Sequence, residues 1–490
     1  MTHHRPLPKG WSLAPLSSAG KWGSGGTPTR TNPKYYDNGT IPWLVIGDLN
    51  EGYIRKAATF ITEDGLKNSS AKLLQEGTLL VAMYGSIGKT GITALPCATN
   101  QAIAHCNPNE GINLHFLHRA IQNIKPRLIS LGKGGTQKNI SQTILKEQKI
   151  PLPPTNEQRR IADKLDRVLV RIDAANEHLS RVAPLIKRFR KSVLAAAFKG
   201  NLTEGFRNKV ELTPAEKTVK LSPEIPRPNR YNSRTDAVIP GDFALSVNQS
   251  NMIAPDGWKW LPMVEVARME SGHTPSRSFP EYWNGNIPWI GIVDARLHHT
   301  STIEDTIQHT NNLGLENSAA RLLPEGTVCV SRTASVGYVV KMGKPMATSQ
   351  DFVNWVCGPA VNPDWLKWLF VAEEAALYRF GKGSTHTTIY FPEWLSLRVA
   401  LPSLEEQTEI VRRVEKLFAF ADRLEKRLTQ AQAAVQKLTP ALLAKAFRGE
   451  LVPQDPNDEP ASELLKRLQE SRADSAKHSR ARKPRARKLP

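Results

Sequence analysis

The sequence of this chain contains a long internal repeat. Residues 7–11, Leu-Pro-Lys-Gly-Trp, return at 254–258 as Ala-Pro-Asp-Gly-Trp. Farther along, Gly77 corresponds to Gly326, and the later matches keep this offset of 249 residues. The units of solenoid proteins are far shorter, about 20–50 residues. The sequence therefore predicts two copies of a domain-sized module.

Each copy predicts a globular domain followed by a long helix. Within the globular parts, short strand-like runs such as 77–82 alternate with glycine and proline turns. Helical stretches also occur, because Asn362 before Pro363 fits an N-cap with proline at the first helical position. The predicted fold class is α+β (mixed α/β), with two tandem domains that each precede a long helix.

The two long helices carry narrow apolar seams. Their apolar residues recur at alternating spacings of four and three, the pattern of a coiled coil. Such a seam favours pairing of the helices with each other, since a helix lying on its own domain usually shows a wider apolar stripe. The seam residues are Ile161, Leu165, Val168, Ile172, Leu179 and Val182 in the first helix and Ile410, Val414, Leu417, Leu424, Leu428 and Val435 in the second.

The ends and interruptions of these helices are also predicted from the sequence. Residues 155–158 and 403–406 both fit the capping-box pattern directly after proline turns. Pro184 and Pro440 fall inside the seams, so each helix is expected to be kinked or briefly broken there.

The remaining segments complete a six-part organisation. A linker rich in proline and charge is expected to have little regular structure. The end of the chain is expected to form a short polar helix and then a disordered basic stretch from Lys477 to Lys488, which either contacts phosphates or is only solvated. The predicted parts are a first domain at 1–154, a first helix at 155–202, a linker at 203–250, a second domain at 251–402, a second helix at 403–452 and a basic tail at 453–490.

An excess of positive charge indicates a polyanionic partner. Lysine and arginine number 66 against 46 aspartates and glutamates, a formal net charge of +20. Basic side chains on phosphates release condensed counterions, which favours a nucleic acid. A basic protein kept soluble by self-repulsion, or one bound to an acidic membrane surface, is the alternative. Since the sequence shows neither a secretion signal nor an apolar run of bilayer length, we expect a cytoplasmic protein without a membrane partner.

No pattern predicts catalysis or metal binding. Residues 86–90 resemble the end of a nucleotide-binding P-loop, but Met83 stands where that loop requires glycine. Residues 362–365 partly match the Asn/Asp-Pro-Pro-aromatic motif of amino-methyltransferases, but Asp364 stands in place of its second proline. The histidines have no metal-binding spacing, and the scattered cysteines are expected to be small buried hydrophobes. We therefore expect no catalytic residue, no metal and no cofactor on this chain.

An ordered set of short motifs occurs in both halves and resembles the specificity subunits of type I restriction-modification enzymes. No single motif is specific, but the doubled series is, and it covers nearly the whole chain except the linker and the tail. The motifs are Gly-x-Thr-Pro (25–28, 272–275), Ile-Pro-Trp (41–43, 287–289), Glu-Gly-Thr (76–78, 325–327), Ser-x-Gly (86–88, 335–337), Asn/Ser-Gln (100–101, 349–350), a glycine-rich turn (132–136, 381–385), Glu-Gln (157–158, 406–407) and Ala-Phe-x-Gly-x-Leu (197–202, 446–451).

The resemblance implies a DNA-reading subunit without chemistry of its own. It implies that the globular parts are target recognition domains, each of which reads one half of a split, asymmetric site in double-stranded DNA. The helices would form an antiparallel coiled coil that fixes the distance between the domains and docks two modification (methyltransferase) subunits. Restriction/translocase subunits would complete the complex, with S-adenosylmethionine, ATP and Mg bound by the partners. The alternatives are a self-contained methyltransferase or nuclease and a coiled-coil scaffold that does not bind DNA.

Polar loop residues are the candidates for DNA contact. Arginine and lysine pair with guanine, and asparagine and glutamine with adenine. Each candidate has the alternative of being an ordinary solvated side chain. The candidates are Arg30, Lys89, Lys133, Gln137, Lys138 and Asn139 in the first domain and Arg277, Arg332, Lys382 and His386 in the second.

Overall fold

The computed structural model describes residues 6–134, 138–219, 234–249, 253–333, 335–383 and 387–481. The chain divides into two compact units, the first formed by residues 1–180 and 429–490 and the second by residues 181–428. Each unit therefore holds one globular domain together with a part of each long helix.

The first unit is a mixed α/β fold. The strands are β1 Ser12–Pro15, β2 Gly20–Ser24, β3 Ile41–Leu44, β4 Tyr53–Ile54, β5 Phe60–Ile61, β6 Leu79–Ala82, β7 Thr90–Thr93, β8 Ala98–Thr99, β9 Ile103–Pro108 and β10 Lys149–Leu152. The main sheet has the strand order β2-β9-β6-β7-β4, β3 pairs with β5 and β8 in a smaller sheet, and β1 pairs with β10. The helices that precede the long helix are α1 Leu16–Ala19, α2 Glu63–Lys67, α3 Leu114–Ser130 and α4 Gln142–Glu147.

The central strand of the first unit explains the order of its sheet. All four residues of β6 are buried, as expected of a strand covered on both faces. β6 runs antiparallel to both β9 and β7, and β4 joins β7 in parallel. The sequence prediction of a strand within residues 77–82 is confirmed.

The long helices are α5 Thr155–Phe198 and α14 Leu404–Phe447, each of 44 residues. Both continue as α-helix through their internal prolines, Pro184 and Pro440, so the expected break is wrong, and the kink expected as its alternative stays a prediction.

The second unit repeats the fold of the first. Its sheets have the orders β14-β21-β18-β19-β16 and β17-β15-β20, strand for strand the orders of the first unit. The helices between α5 and α14 are α6 Glu204–Arg207, α7 Ala215–Thr218, α8 Met263–Val266, α9 Ile292–Leu297, α10 Asn312–Glu316, α11 Pro363–Ala372, α12 Glu374–Phe380 and α13 Phe391–Leu395. The strands are β11 Ile239–Pro240, β12 Leu245–Val247, β13 Lys259–Pro262, β14 Ala267–Ser271, β15 Trp283–Ile290, β16 Thr302–Ile303, β17 Gln308–Thr310, β18 Val328–Ser331, β19 Val339–Met342, β20 Ala347–Thr348, β21 Phe352–Cys357 and β22 Leu397–Leu401.

The long helices run antiparallel within each unit. In the first unit, the start of α5 and the end of α14 share one hydrophobic core, where the ring centroids of Phe447 and Phe116 lie 5.3 Å apart. In the second unit, the end of α5 and the start of α14 share another core, where Phe198 and Trp365 lie 5.8 Å apart. These two aromatic pairs occupy equivalent positions of the repeat. The predicted fold class, with paired antiparallel helices, is confirmed.

The residues of the predicted seams differ in burial. Ile161, Leu165, Ile172, Ile410, Val414 and Leu428 are buried. Val168, Leu179, Val182, Leu417, Leu424 and Val435 are partly buried.

The Glu-Gln motif attaches each long helix to its own domain. The Gln158 side chain donates to Pro153 O at 3.1 Å and accepts from Asn113 N at 2.9 Å. Gln407 makes the same pair of bonds, to Pro402 O at 3.0 Å and from Asn362 N at 2.8 Å. Both glutamines are fully buried, so the motif is structural.

The predicted capping boxes are wrong in different degrees. The Thr155 hydroxyl donates to Gly111 O at 2.9 Å and does not cap its helix. Ser403 Oγ does accept from Glu406 N at 3.2 Å, which is half of a box. The second bond of a box, from Ser403 N to the Glu406 side chain, does not occur among the described residues. The Glu406 carboxylate instead accepts from the Thr203 hydroxyl at 2.7 Å.

The linker and the tail contain more regular structure than the sequence predicted. Residues 239–247 form β11 and β12, which extend the sheet of order β11-β12-β22-β13, so this part of the linker belongs to the second domain. The tail forms α15 Ala461–Ala481, whose Leu464 is buried in the core of the first unit. Expected disorder from Lys477 is therefore wrong up to Ala481, and 482–490 lie outside the described residues.

The described residues show neither a bilayer-length apolar helix nor a metal-binding group. No described helix is long and apolar enough to cross a membrane. In the same part of the chain, no cluster of histidine, cysteine, aspartate and glutamate side chains is able to hold a metal ion. Cys97, Cys106 and Cys329 are buried free thiols, as predicted, and Cys357 is partly buried.

Candidate nucleic-acid interface

Four loops of the first domain converge beside the main sheet. They are the Gly-x-Thr-Pro loop after β2, the turn between β6 and β7, the Asn-Gln loop between β8 and β9, and the glycine-rich hairpin between α3 and α4. Backbone hydrogen bonds join them: Gly26 N donates to Thr99 O and Met83 N donates to Ala102 O, both at 2.8 Å, and Gly85 N donates to Lys138 O at 3.0 Å. The same convergence occurs in the second domain, where Arg332 N donates to Asp351 O and Ile389 N to Arg332 O, both at 2.8 Å.

The glycine of the Gly-x-Thr-Pro loop allows a close approach of two backbones. A Cβ atom on Gly25 would lie 2.0 Å from Thr99 O, and one on Gly272 would lie 1.9 Å from Ser349 O. No side chain fits at such distances, so both loops require glycine. The loop of the first domain is closed further by Trp43, whose indole N–H donates to Gly26 O at 3.0 Å.

The close approach brings a threonine against a glutamine in both domains. The Thr27 hydroxyl donates to Gln101 Oε1, and the Thr274 hydroxyl donates to Gln350 Oε1. Both glutamines are exposed and lie at equivalent positions of the repeat. Sequence reasoning missed them as site residues. Their duplication within the Asn/Ser-Gln motif was the signal available.

The cationic candidates of the first domain lie on these loops. Arg30 is exposed near Tyr36, whose pKa is raised by burial and lowered in part by this arginine. Lys133 and Lys138 are exposed on the hairpin. Lys89, in the turn before β7, is half-buried and its Nζ lies 3.4 Å from Ile46 O.

The hairpin itself is held by backbone pairing. Asn139, half-buried, pairs with Lys133 through reciprocal N–H···O bonds of 3.0 and 2.9 Å. The same pairing joins Lys382 and Thr388 in the second domain, with both bonds at 2.9 Å. Gln137 and His386 lie outside the described residues.

Arg277, a candidate of the second domain, has its guanidinium held beside two indole rings. Its guanidinium carbon lies 5.0 Å from the ring centroid of Trp283 and 5.6 Å from that of Trp289. One of its N–H groups donates to Gln308 Oε1 at 3.0 Å. Since the side chain is exposed, the remaining donors of the fork face an open cavity of about 490 Å³ that is also lined by Gln350.

The other two candidates of the second domain are engaged within the protein. The Arg332 guanidinium donates to Gln350 O at 3.2 Å and to Ile389 O at 3.4 Å, and it lies 4.5 Å from the ring centroid of Phe391. Lys382 forms a 2.8 Å ion pair with Glu393, a buried carboxylate, and this bond raises the pKa of the lysine. Arg332 thus joins the loops together, and Lys382 ties the hairpin to α13.

The chemistry of the two interfaces is that of a polar, cationic surface with glycine-supported loops. Exposed guanidinium, ammonium and amide groups offer hydrogen-bond donors in the patterns that phosphates and base edges accept.

Comparison with known proteins identifies relatives along the whole chain. A family model described as the type I restriction modification DNA specificity domain matches residues 8–182 and 255–432, the two copies of the repeat. The chain is 26% identical over 495 residues to the specificity subunit of type I restriction enzyme EcoKI from Escherichia coli K12, covering 97% of this chain and 98% of the relative. It is 30% identical over 335 residues to the MjaIX specificity subunit from Methanocaldococcus jannaschii, covering 67% of each.

Solved structures share the fold. The HsdS subunit from Thermoanaerobacter tengcongensis aligns with a TM-score of 0.56 at 17% identity, covering 92% of this chain and 100% of that one. A chain from a structure of the assembly and conformational transition of the type I R-M system aligns with a TM-score of 0.65 at 18% identity, covering 91% and 100%.

Proposed function

Because this chain belongs to the family of type I restriction-modification DNA specificity domains, we propose that it reads a DNA site made of two separated, different halves. Its relatives are specificity subunits, so the chain is the DNA-recognition component of such a complex and not its catalytic one. The observation that supports this proposal most strongly is the repetition of the loop cluster. Each domain contains one such cluster, with its close-packed glycine and its threonine–glutamine pair.

Differences between the two loop clusters account for an asymmetric site. In the first domain, Lys138 is an exposed cation for phosphates or guanines, and the second domain has Thr387 at the equivalent position. In the second, Arg277, the counterpart of Arg30, presents a guanidinium held beside Trp283, where the first domain has Tyr36, and this group is suited to bidentate contact with guanine. Half-sites read by different side chains differ in sequence.

The paired helices are proposed to set the spacer between the half-sites. A helix of 44 residues is about 66 Å long at 1.5 Å per residue. This length is about two turns of B-DNA, at about 34 Å per turn. In this proposal the helices also dock two modification subunits, restriction subunits join that complex in the cytoplasm, and the partners bind S-adenosylmethionine, ATP and Mg.

Mapping of adenine methylation in genomic DNA tests the recognition role. The chain is expressed with its modification subunit, and the same cells without the chain serve as the control. We expect a two-part motif with a fixed spacer only when the chain is present. A map without such a motif, from soluble and expressed proteins, contradicts the proposal.

A second experiment separates this role from the two alternatives. The purified chain alone is incubated with duplex DNA and S-adenosylmethionine, and it is also tested for salt-dependent DNA binding together with its modification partners. Methyl transfer by the chain alone would identify a self-contained enzyme. DNA binding that is absent even with the partners would identify a scaffold.

A further inference from the structure

The threonine–glutamine pairs are an ordered polar feature that both domains share. In each domain, a half-buried threonine hydroxyl donates to the side-chain oxygen of an exposed glutamine. The close backbone approach at Gly25 and Gly272 holds each loop in this geometry. A tryptophan bond adds to it in both domains: the Trp289 indole donates to His273 O at 3.0 Å, as the Trp43 indole donates to Gly26 O. The pair is thus part of a rigid loop in both copies.

The exposed side-chain amides of Gln101 and Gln350 leave most of their hydrogen-bonding capacity unused. A glutamine oxygen has two lone pairs, of which the threonine hydroxyl takes one. Within the described residues, the Nε2 atoms of Gln101 and Gln350 make no hydrogen bond. Holding a long exposed side chain in place costs conformational entropy that burial does not offset here. A function outside the chain is the physical reason to hold it.

The position of the pair places this amide among the candidate DNA-contacting groups. Ala102, which follows Gln101, accepts the backbone bond from the Met83 turn at 2.8 Å. In the second domain, Gln350 lines the same cavity as Arg277. A DNA duplex that meets the loop clusters therefore meets these amides.

We propose that Gln101 and Gln350 each read an adenine in their own half-site, with Thr27 and Thr274 as positioning residues. An amide with a free lone pair on oxygen and a free NH₂ accepts from N6 and donates to N7 of adenine in the major groove. Because the pair is the same in both domains, the A·T pair lies at the same place relative to each domain. The inference rests on the proposed two-part recognition.

The test uses the complete complex and duplexes that carry the mapped motif with single base-pair substitutions. We expect Gln101→Ala to lower discrimination at one A·T pair of the first half-site by about 10- to 100-fold. Discrimination throughout the second half-site stays unchanged, which also shows that the variant is folded. Gln350→Ala gives the converse result, so each variant is the control for the other.

The positioning role has its own readout. Thr27→Val removes the hydroxyl, and we expect a smaller loss at the same A·T pair, with Thr27→Ser restoring it. Loss of affinity that is equal for every base substitution would mean a phosphate contact and would overturn the proposal, as would an unchanged base preference. Failure of the two-part recognition is a separate result, because the wild-type complex would then show no motif.

Discussion

Two lysines at the same position of the repeat differ in their electrostatic partners. Lys382 pairs with the buried carboxylate of Glu393. The position equivalent to Glu393 in the first domain holds Ile144, and among the described residues Lys133 has no ion pair. A lysine that already pairs with a carboxylate of the protein gains less from a phosphate. Its charge is compensated before DNA binds, so it displaces fewer condensed counterions from the DNA.

We therefore expect the two lysines to contribute unequally to salt-dependent DNA binding. Lys133→Ala is expected to reduce the slope of log K against log salt by about 0.9, the value of one phosphate contact. Lys382→Ala is expected to reduce it by less than half of that amount. The measurement is binding of the complete complex to its duplex over a salt series. Equal reductions in the two variants would contradict this account.

The residues of the site were predictable only in part. Glycine-rich turns and exposed loop cations follow from the doubled motifs, and the structure places Arg30, Lys133 and Arg277 on the converging loops. The internal use of Arg332 was not predictable, because the carbonyls that it binds belong to Gln350 and Ile389, which are distant in sequence. DNA contact by the candidates is still a prediction.

At the scale of elements, a buried glutamate fixes the hairpin formed by β11 and β12 to the second domain. Glu373 accepts backbone N–H groups from Asp242, Phe243 and Leu245 at 2.6, 2.8 and 3.1 Å. Burial raises the pKa of Glu373 to about 7, and the nearby Asp242 carboxylate adds to this effect, while the N–H bonds oppose it. Ile124 occupies the equivalent position of the first domain, so this attachment belongs to the second domain.

The raised pKa of Glu373 predicts a pH-dependent stability. The folded state binds the proton more tightly than the unfolded state, so the contribution is complete below about pH 4.5 and is lost as the pH rises through about 7. The loss in unfolding free energy is up to about 3 kcal/mol. We expect Glu373→Gln to remove this pH dependence in denaturant unfolding between pH 5 and 8.

A matched variant controls for the change of charge. Glu374→Gln alters the neighbouring residue, which is exposed, and is expected to keep the wild-type pH profile. If Glu373→Gln also keeps that profile, the titrating group lies elsewhere.

Elements with strong periodicity were predictable, and those that depend on distant contacts were not. The heptad pattern predicted both long helices, because 44 residues of repeated spacing outweigh a single proline in each. The strand pair β11–β12 was not predictable, since its strands are only two and three residues long and its order depends on β22 and Glu373. The short polar helix predicted for the tail is present as α15, but the burial of its Leu464 in the core of the first unit was not predictable.

At the scale of the whole molecule, the repeat explains why each unit combines residues from distant parts of the chain. Phe447, at the end of the second helix, packs in the first unit, and Phe198, at the end of the first helix, packs in the second. Each domain is therefore completed by the helix of the other copy. In the proposed function, a duplication with this exchange builds each half-site reader from residues of both copies of the repeat.

In the proposed function, the paired helices set the spacer, which leads to a prediction about length. Seven residues inserted after Ser180 and seven after Leu428 keep both heptad seams in phase and lengthen each helix by about 10 Å. This length corresponds to about three base pairs, so we expect methylation mapping to show a spacer longer by about that number. Binding should also weaken, because three base pairs turn one half-site by about 100° around the DNA axis.

Insertion into one helix alone is the matched control for the paired insertion. It displaces one seam against the other, so we expect loss of the two-part motif and not a new spacer. Because the site residues are untouched in both variants, the half-site sequences themselves should stay the same wherever methylation persists. An unchanged spacer in the doubly extended chain would show that the helices do not measure the distance between the half-sites.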